Sequence, residues 1–262
     1  MKNIKVALGG SEGKMGRVLQ KLISETDDIE LFYYGIDPEK EVLYPTVESF
    51  LEGARFELKK INVYVDFTTP DSILDNVQKI SEHGIDSEIG TTGWYDKLDE
   101  MKEIALSNKR RILYAPNFSI GVNALFHITE ELAKILGKYG YDGQVYELHH
   151  TGKKDSPSGT AVMLGNILKE SIPKKKKLAY ERRNKRNDDE IDVLGGRVGS
   201  VTGYHMITFS PNLSDYERLT LEHNAFNREV FANGAIVGIR WLFENSNKEP
   251  GLYTFKEDVL GL

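Results

Sequence analysis

What most constrains the fold is a strand that runs directly into a glycine turn and then a helix at the start of the chain. Lys2 to Leu8 carries apolar Ile4, Val6 and Leu8, and Gly9-Gly10-Ser11-Glu12-Gly13-Lys14-Met15-Gly16 follows. Val18, Leu19, Leu22 and Ile23 then repeat at helical spacing. Glycines 10, 13 and 16 allow a tight turn, close approach of a pyrophosphate, and close packing of helix on strand. The spacing is Gly-x-x-Gly-x-x-Gly, with Glu12 where the commoner dinucleotide fingerprint has its second glycine, so a glycine-rich helix entry with no ligand gives the same pattern. Asp37 weighs for the dinucleotide. It follows a second apolar segment, Ile29 to Ile36, at about the distance where an acid accepts from the adenosine ribose hydroxyls.

The alternation continues. Asn62 to Phe67 is expected as a buried strand ending in Asp66-Phe67-Thr68-Thr69-Pro70, with a helix from Ser72 to His83. Ile89-Gly90-Thr91-Thr92-Gly93 comes next, then a helix from Asp96 to Ser107, a strand from Ile112 to Tyr114, and Ala115-Pro116-Asn117-Phe118-Ser119. Strands alternating with helices predict a parallel sheet with right-handed crossovers. Each polar or glycine-rich segment falls at the carboxyl end of a strand, where open α/β sheets bind ligands. Asp86-Ser87-Glu88 resists this pattern, and the strand there is expected to be short or partly exposed.

Residues 147 to 161 read Glu-Leu-His-His-Thr-Gly-Lys-Lys-Asp-Ser-Pro-Ser-Gly-Thr-Ala. Val145 to His150 is expected as a strand. Ser156-Pro157 then opens a helix through Ala161, Leu164 and Ile167, with serine at the cap and proline in the first turn. The N–H groups of Ser158, Gly159 and Thr160 are thereby left for an anion, which the helix dipole favours. His149, His150 and Lys153 stand immediately before it, able to neutralise a carboxylate or phosphate and to deliver a proton near neutral pH. A polar strand end and a capped turn would use some of the same residues, but the convergence of three features in one loop favours a site. A metal is not expected. Adjacent strand residues point to opposite faces, and Lys153 and Lys154 repel a cation.

Gln144 to His150, Val201 to Phe209 and Arg218 to His223 look like strands without intervening crossover helices, which predicts an open antiparallel or mixed sheet. The expected organisation is a split domain. Residues 1–119 form the first part of a dinucleotide half, 120–228 an inserted α+β substrate and oligomerisation half, and 229–262 a returning segment with a helix around Ala235 to Phe243. The fold class is thus a Rossmann-type doubly wound parallel sheet carrying an insertion.

A chain of 262 residues with 40% hydrophobic content can build such a core. Cysteine is absent, which excludes disulfides and thiolate metal sites. No apolar signal region or membrane-length apolar run is present, so a cytoplasmic location and no membrane are expected. The basic run Lys174 to Lys177 with Arg182, Arg183, Lys185 and Arg186 is followed at once by Asp188, Asp189 and Glu190 with few aromatics, which describes a solvated loop rather than a nucleic-acid patch.

Gly10-Ser-Glu-Gly-Lys-Met-Gly16, Asp66-Phe-Thr-Thr-Pro70, Ile89-Gly-Thr-Thr-Gly93, Asn117-Phe-Ser-Ile-Gly-Val-Asn123, Glu147 to Ala161 and Phe231-Ala-Asn-Gly-Ala235 occur in one order. Over nearly its whole length the chain resembles the 4-hydroxy-tetrahydrodipicolinate reductases, long called dihydrodipicolinate reductases, of the diaminopimelate route to lysine. The resemblance implies His149 as proton donor and Lys153 as the other catalytic group, with His150, Gly159 and Thr160 binding substrate. It implies cofactor contacts from Gly10, Ser11, Glu12, Gly13, Lys14 and Met15, from Gly90, Thr91 and Thr92, and from Ala115, Pro116, Asn117 and Phe118. It also implies a homotetramer and a small dicarboxylate substrate. The family's glycine-spaced arginine loop is recovered only in its last part, Gly195-Gly196-Arg197-Val198-Gly199, so no substrate role is assigned there.

The implied reaction is hydride transfer from nicotinamide C4 to a cyclic imine-type diacid. With a net charge of −6, the protein must make the dianion's site locally positive. NADH is the expected cofactor, because Asp37 is followed by Pro38 rather than an arginine; NADPH enters to the extent that Lys40 or Lys14 reaches its phosphate. A non-catalytic dinucleotide sensor would need neither His149 nor Lys153. Another split-Rossmann dehydrogenase would not account for Ser158-Gly159-Thr160 after a histidine pair.

Overall fold

The computed structural model describes residues 3–36, 44–181, 185–212 and 217–262, so Asp37, Pro38, Lys40, Arg182 and Arg183 lie outside the described residues. The chain divides into two compact units, Met1–Ile120 with Arg228–Leu262, and Gly121–Asn227. In chain order the elements are β1 (Ile4–Gly9), α1 (Lys14–Ser24), β2 (Ile29–Ile36), α2 (Val47–Gly53), β3 (Val63–Asp66), α3 (Ile73–Glu82), β4 (Asp86–Ile89), α4 (Leu98–Ser107) and β5 (Arg111–Tyr114). Next come α5 (Ile120–Lys138), β6 (Tyr141–His149), α6 (Gly159–Ser171), β7 (Lys177–Ala179), β8 (Glu190–Arg197), β9 (Gly203–Pro211) and β10 (Leu219–Ala225). The chain then returns to the first unit as α7 (Glu229–Glu244) and β11 (Gly251–Thr254). Among the described residues no helix is long and apolar enough to cross a membrane.

The first unit is a six-stranded sheet in the order β11-β5-β4-β3-β1-β2 with every pairing parallel. Its inner strands β1, β3, β4 and β5 are largely buried on both faces, as a parallel sheet requires, while the edge strand β11 is half-buried. Val6 and Leu8 pack among Leu19, Ile23, Ala235 and Ile239, whereas Ala7 faces Phe50, Tyr64 and Ile80 on the other side. Full burial of a side chain such as Leu19 contributes roughly 1.5–3 kcal/mol. Strand order reverses at β1, whose neighbours are β2 and β3, and such a reversal opens a crevice at the carboxyl ends of the strands.

The expectation that the strand at residues 86–88 is short or partly exposed is met by its length. β4 is short, at four residues, but all four are buried. Asp86 is neutralised by Arg111, whose backbone N–H and Nε donate to its carboxylate at 2.9 and 3.0 Å. Glu88 is wholly buried and neither carboxyl oxygen has a hydrogen-bond partner. Burial pushes its carboxyl well above the usual carboxylate range, which favours the protonated form. Gly238 of α7 makes room for it, since a Cβ there would lie 2.4 Å from Glu88 Oε1. A sequence pattern cannot distinguish such an acid from an exposed one.

The second unit is a five-stranded mixed sheet in the order β10-β9-β6-β8-β7. The three expected strands, β6, β9 and β10, pair antiparallel in turn, and β8 and β7 are the strands that the expectation lacked. β6 runs parallel to β8, and α6 lies in the connection between them, as a parallel pairing demands. Helices α5 and α6 supply Val122, Phe126, Ala161, Leu164 and Leu168 to a core closed by Val145, Ile191, Val193, Ile207 and Phe209. Burial alternates strictly along β6, so Tyr141, Gly143, Val145, Glu147 and His149 share the buried face.

Candidate active site

In the first unit, the turn after β1 is set by backbone space. Gly10 has φ +71, and a Cβ on it would lie 2.3 Å from the Phe67 carbonyl oxygen. At Gly16 a Cβ would lie 2.2 Å from the Gly10 carbonyl oxygen, so α1 can approach the turn only with glycine there. Gly13 is the N-cap of α1 and no side chain caps the helix, which leaves its N-terminus available to an anion. Glu12, at the unusual position of the motif, is 3.1 Å from Arg17. Ser11 is buried, Lys14 is exposed, and Met15 packs against the core.

A buried carboxylate ties the neighbouring loops to this turn. Asp66, at the end of β3, accepts from Tyr64 Oη at 2.7 Å, Thr68 N at 2.9 Å, Thr68 Oγ1 at 2.6 Å and Thr91 Oγ1 at 2.8 Å. The Gly90 N–H donates to the Asp66 carbonyl at 2.9 Å, and a Cβ at Gly90 would strike the Phe67 ring at 2.1 Å. A pocket of about 420 Å³ opens beside these loops, lined by Gly10, Gly13, Thr46, Phe67, Thr68 and Asn76. On its wall Lys79 lies 3.0 Å from Asp75 and 3.6 Å from Glu48, so its charge is offset. Gly10 and Gly13 thus line the pocket, Thr91 is held by Asp66, and Thr92 is exposed. Ala115 and Phe118 are buried, Pro116 is exposed, and Asn117 accepts from Ser119 N at 2.8 Å. The role of Asp66 as a loop anchor carries no signal in the sequence, where it is only the last residue of an apolar strand.

The second unit assembles its polar residues by strand register. Glu147 of β6 lies opposite His205 of β9 and Gly195 of β8, while His149 lies opposite Arg197. Glu147 is wholly buried; its Oε1 accepts from Ser158 N at 3.0 Å and lies 3.5 Å from Arg197 Nη1. Its Oε2 lies 3.4 Å from His149 Nδ1 and 3.5 Å from His205 Nε2. Burial pushes the Glu147 carboxyl up, but the nearby His205 ring, the hydrogen bond from Ser158 and the proximity of His149 outweigh it and hold the group at about 2. Burial pushes the His149 imidazole down to about 4, against the pull of Glu147, with His205, Lys153 and Arg197 adding to the depression. His149 is therefore neutral at pH 7 in the protein alone.

Helix α6 begins two residues later than its motif suggests, with Ser158 rather than Ser156 at the cap. Ser158 is the N-cap, its Oγ accepting from Ala161 N at 3.2 Å, and Ser156-Pro157 precedes the helix in a turn with a cis peptide bond. The Ser158 N–H is not free, because Glu147 takes it. The N–H groups of Gly159 and Thr160 have no acceptor among the described residues. A Cβ on Gly159 would meet nothing within 4 Å, so no protein neighbour requires glycine there. Lys153 Nζ is 2.8 Å from Asp155 Oδ1, and His150 is half-buried just beyond β6. Glu147, His149 and His205 bring three ligand-capable atoms within 4.8 Å of one another, but Arg197 beside the same carboxylate opposes a cation. The cluster is better described as a polar network around an imidazole. Glu147 and His205 were missed as functional residues. The period of two along β6 pairs Glu147 with His149, whereas His205 lies 56 positions further along and carries no local signal.

Residues 4–118 match the family described as Dihydrodipicolinate reductase, N-terminus, and residues 121–260 match Dihydrodipicolinate reductase, C-terminus. The chain belongs to the dihydrodipicolinate reductase family. It is 35% identical to the 4-hydroxy-tetrahydrodipicolinate reductase of Methanopyrus kandleri over 98% of this chain and 97% of that one. It is 34% identical to the enzyme of the same name from Aquifex aeolicus, over 99% of this chain and 100% of that one. In fold it is similar to a dipicolinate-bound dihydrodipicolinate reductase from Paenisporosarcina sp. TG-14, with a TM-score of 0.71, 24% identity, and 97% and 98% of the two chains covered. Members of the family are nicotinamide-dinucleotide-dependent oxidoreductases of diaminopimelate and lysine biosynthesis.

Proposed function

We propose that this chain reduces 4-hydroxy-tetrahydrodipicolinate to tetrahydrodipicolinate, adding a hydride and a proton to the ring as water leaves it. The observation that carries this proposal is Gly159, a glycine at an open helix N-terminus that no neighbour in the chain requires, next to Ser158, whose N–H donates to the carboxylate that faces His149. A substrate carboxylate seated there would accept from the N–H groups of Gly159 and Thr160 and from the Thr160 hydroxyl, with Lys153 and His150 as further cationic or polar partners. A bound reduced nicotinamide supplies the hydride from its C4. The residues of the first unit fit such a cofactor: glycine where backbone must come close, a helix N-terminus without a side-chain cap for a pyrophosphate, and an adjoining pocket. Gly10 to Met15, Gly90 to Thr92 and Ala115 to Phe118 are assigned to it.

His149 supplies the proton. Alone it is neutral, with its imidazole at about 4, so the proton must be gained when the dianion arrives. One negative charge 4 Å away contributes about 4 kcal/mol at an effective dielectric of 20, enough to raise a histidine by about three pKa units. NADH is the preferred cofactor, since Asp37 is followed by Pro38, and the pocket cation Lys79 is already offset by two carboxylates. A homotetramer and a cytoplasmic location belong to the same proposal. The test is loss of reduced-nicotinamide absorbance on adding freshly made synthase product, with NADH and NADPH titrated separately at fixed ionic strength. Turnover with a higher kcat/KM for NADH is expected. No turnover with either cofactor would overturn the assignment, and a clear preference for NADPH would overturn the cofactor choice alone.

A further inference from the structure

Behind His149 lies a row of groups with no role in cofactor or substrate binding as assigned above. Glu147, His205 and His223 are register partners across β6, β9 and β10, and Gly195 completes the row on β8. Glu147 is wholly buried, and His149 and His205 are 6% and 5% exposed. A carboxylate kept charged at this depth needs a reason, because burial opposes the charge. Its Oε1 is accounted for by the Ser158 N–H and Arg197. Its Oε2 and His149 Nδ1 are both buried without a hydrogen bond, and they face each other at 3.4 Å. His205 turns to the same oxygen at 3.5 Å and to Ser158 Oγ at 3.2 Å. Glycines keep the arrangement open: a Cβ on Gly195 would lie 3.0 Å from Glu147 Oε1, and one on Gly203 would lie 3.3 Å from His149 Nε2.

We infer that Glu147 is a positioning residue that holds the His149 proton on Nδ1, leaving Nε2 as the nitrogen that exchanges a proton with the substrate. A buried carboxylate beside one ring nitrogen selects the tautomer with N–H on that side. Through Ser158 the same carboxylate also fixes the first residue of α6, so the proton donor and the anion-binding helix end are aligned by one group. The 3.4 Å separation is a contact that shortens when His149 becomes charged, as catalytic hydrogen bonds do on substrate binding. The charged and titratable groups around the ring are Glu147 from β6, His205 from β9, Arg197 from β8, and Lys153 from the loop after β6.

This inference rests on His149 as the proton donor, but it has a readout that needs no substrate. In protein labelled with nitrogen-15 at histidine, the ring shifts at pH 7.5 are expected to show His149 with its proton on Nδ1. A wild-type His149 carrying its proton on Nε2 would overturn the inference, whatever the activity. Glu147→Gln keeps the shape and removes the charge. It is expected to abolish the tautomer preference and to lower kcat by about tenfold or more. The alkaline limb of its kcat profile should move to lower pH, and KM for the cofactor should stay unchanged. If the variant melts and binds cofactor as wild type does yet keeps the wild-type pH profile, Glu147 serves packing alone. A wild type with the expected tautomer and no turnover would instead overturn the proposed function.

Discussion

Gly10 and Gly159 occupy corresponding places, each at the entrance to a helix whose N-terminus is offered to an anion. At Gly10 an added Cβ would lie 2.3 Å from a backbone oxygen and φ is +71, so the fold itself demands glycine. At Gly159 an added Cβ meets nothing, so the chain makes no such demand and the position is open to a ligand, as the proposed function requires. The two units differ in the same sense throughout. The first shapes its pocket by backbone approach, with Asp66 fastening loops together. The second shapes its site by charge, with Glu147, His149, Lys153 and Arg197 converging on one strand end. A motif glycine therefore has two origins, and only the space around it separates them.

The largest effect expected is on the charged site. His149→Gln should lower kcat by roughly two to four orders of magnitude, as loss of a general acid does, while affinity for the dinucleotide stays close to wild type. Near wild-type turnover at the variant's own pH optimum would remove His149 from the donor role and leave the second unit with binding alone.

The glycine contrast is broken by a pair of alanines. Gly10→Ala forces a left-handed backbone and a backbone collision, and should cost about 2 kcal/mol of stability or more, together with cofactor affinity. Gly159→Ala should leave the melting temperature within about a degree of wild type, because alanine suits a helix better than glycine. Its KM for substrate should rise several-fold. Chemical denaturation and initial rates on both variants decide the matter, and equal loss of stability in the two would erase the distinction.

Buried titratable groups give the two units opposite responses to pH. Glu88 of the first unit has a raised carboxyl, so the folded state keeps a proton that the unfolded chain loses above about 4.5. Its contribution to stability therefore falls as pH rises from there. His149 of the second unit has a depressed imidazole, so the unfolded chain gains a proton below 6.5 that the folded state refuses until about 4. Its contribution falls as pH drops through that window. Glu88→Gln should raise the melting temperature relative to wild type more at pH 8 than at pH 5. A shift independent of pH would mean that Glu88 is charged in the fold.

The parallel sheet was legible because apolar strands and helical spacing alternate from Ile4 to Tyr114, with glycine or proline at the carboxyl ends. The histidine segment was legible because His149, Lys153 and Gly159 lie within eleven residues. Long-range register was not, and His205 reaches Glu147 only because β9 folds back antiparallel on β6. Helix α5 went unassigned although Val122, Phe126, Thr129 and Ala133 carry its spacing, since the Asn117 to Asn123 run at its start resembles a loop. The strand at Asp86-Ser87-Glu88 is short, as expected, but the burial of its acids was not legible, because composition reports polarity and not the partner or the cavity that receives it.

The smallest effect is the uptake of less than one proton, and it separates a site built by charge from one built by shape. With His149 at about 4 in the free protein, a dianion that binds beside it should draw a proton from the solvent at pH 7. As far as His149 is concerned, affinity for pyridine-2,6-dicarboxylate should then fall as pH rises from about 4, the value of the free protein, towards the raised value of the complex, with a slope approaching one decade per pH unit, and level off above it. The sign follows from the proton being gained on binding. Titration calorimetry in two buffers of different ionisation enthalpy measures that proton directly, and His149→Gln should abolish the difference between buffers while leaving part of the affinity, contributed by the Gly159 and Thr160 N–H groups. The dinucleotide, held by the first unit through backbone approach, should show no such dependence. If the dicarboxylate binds without buffer dependence in the wild type, His149 stays neutral in the complex. The proton that completes the reduction would then come from another group, with Lys153 the nearest candidate in the same loop.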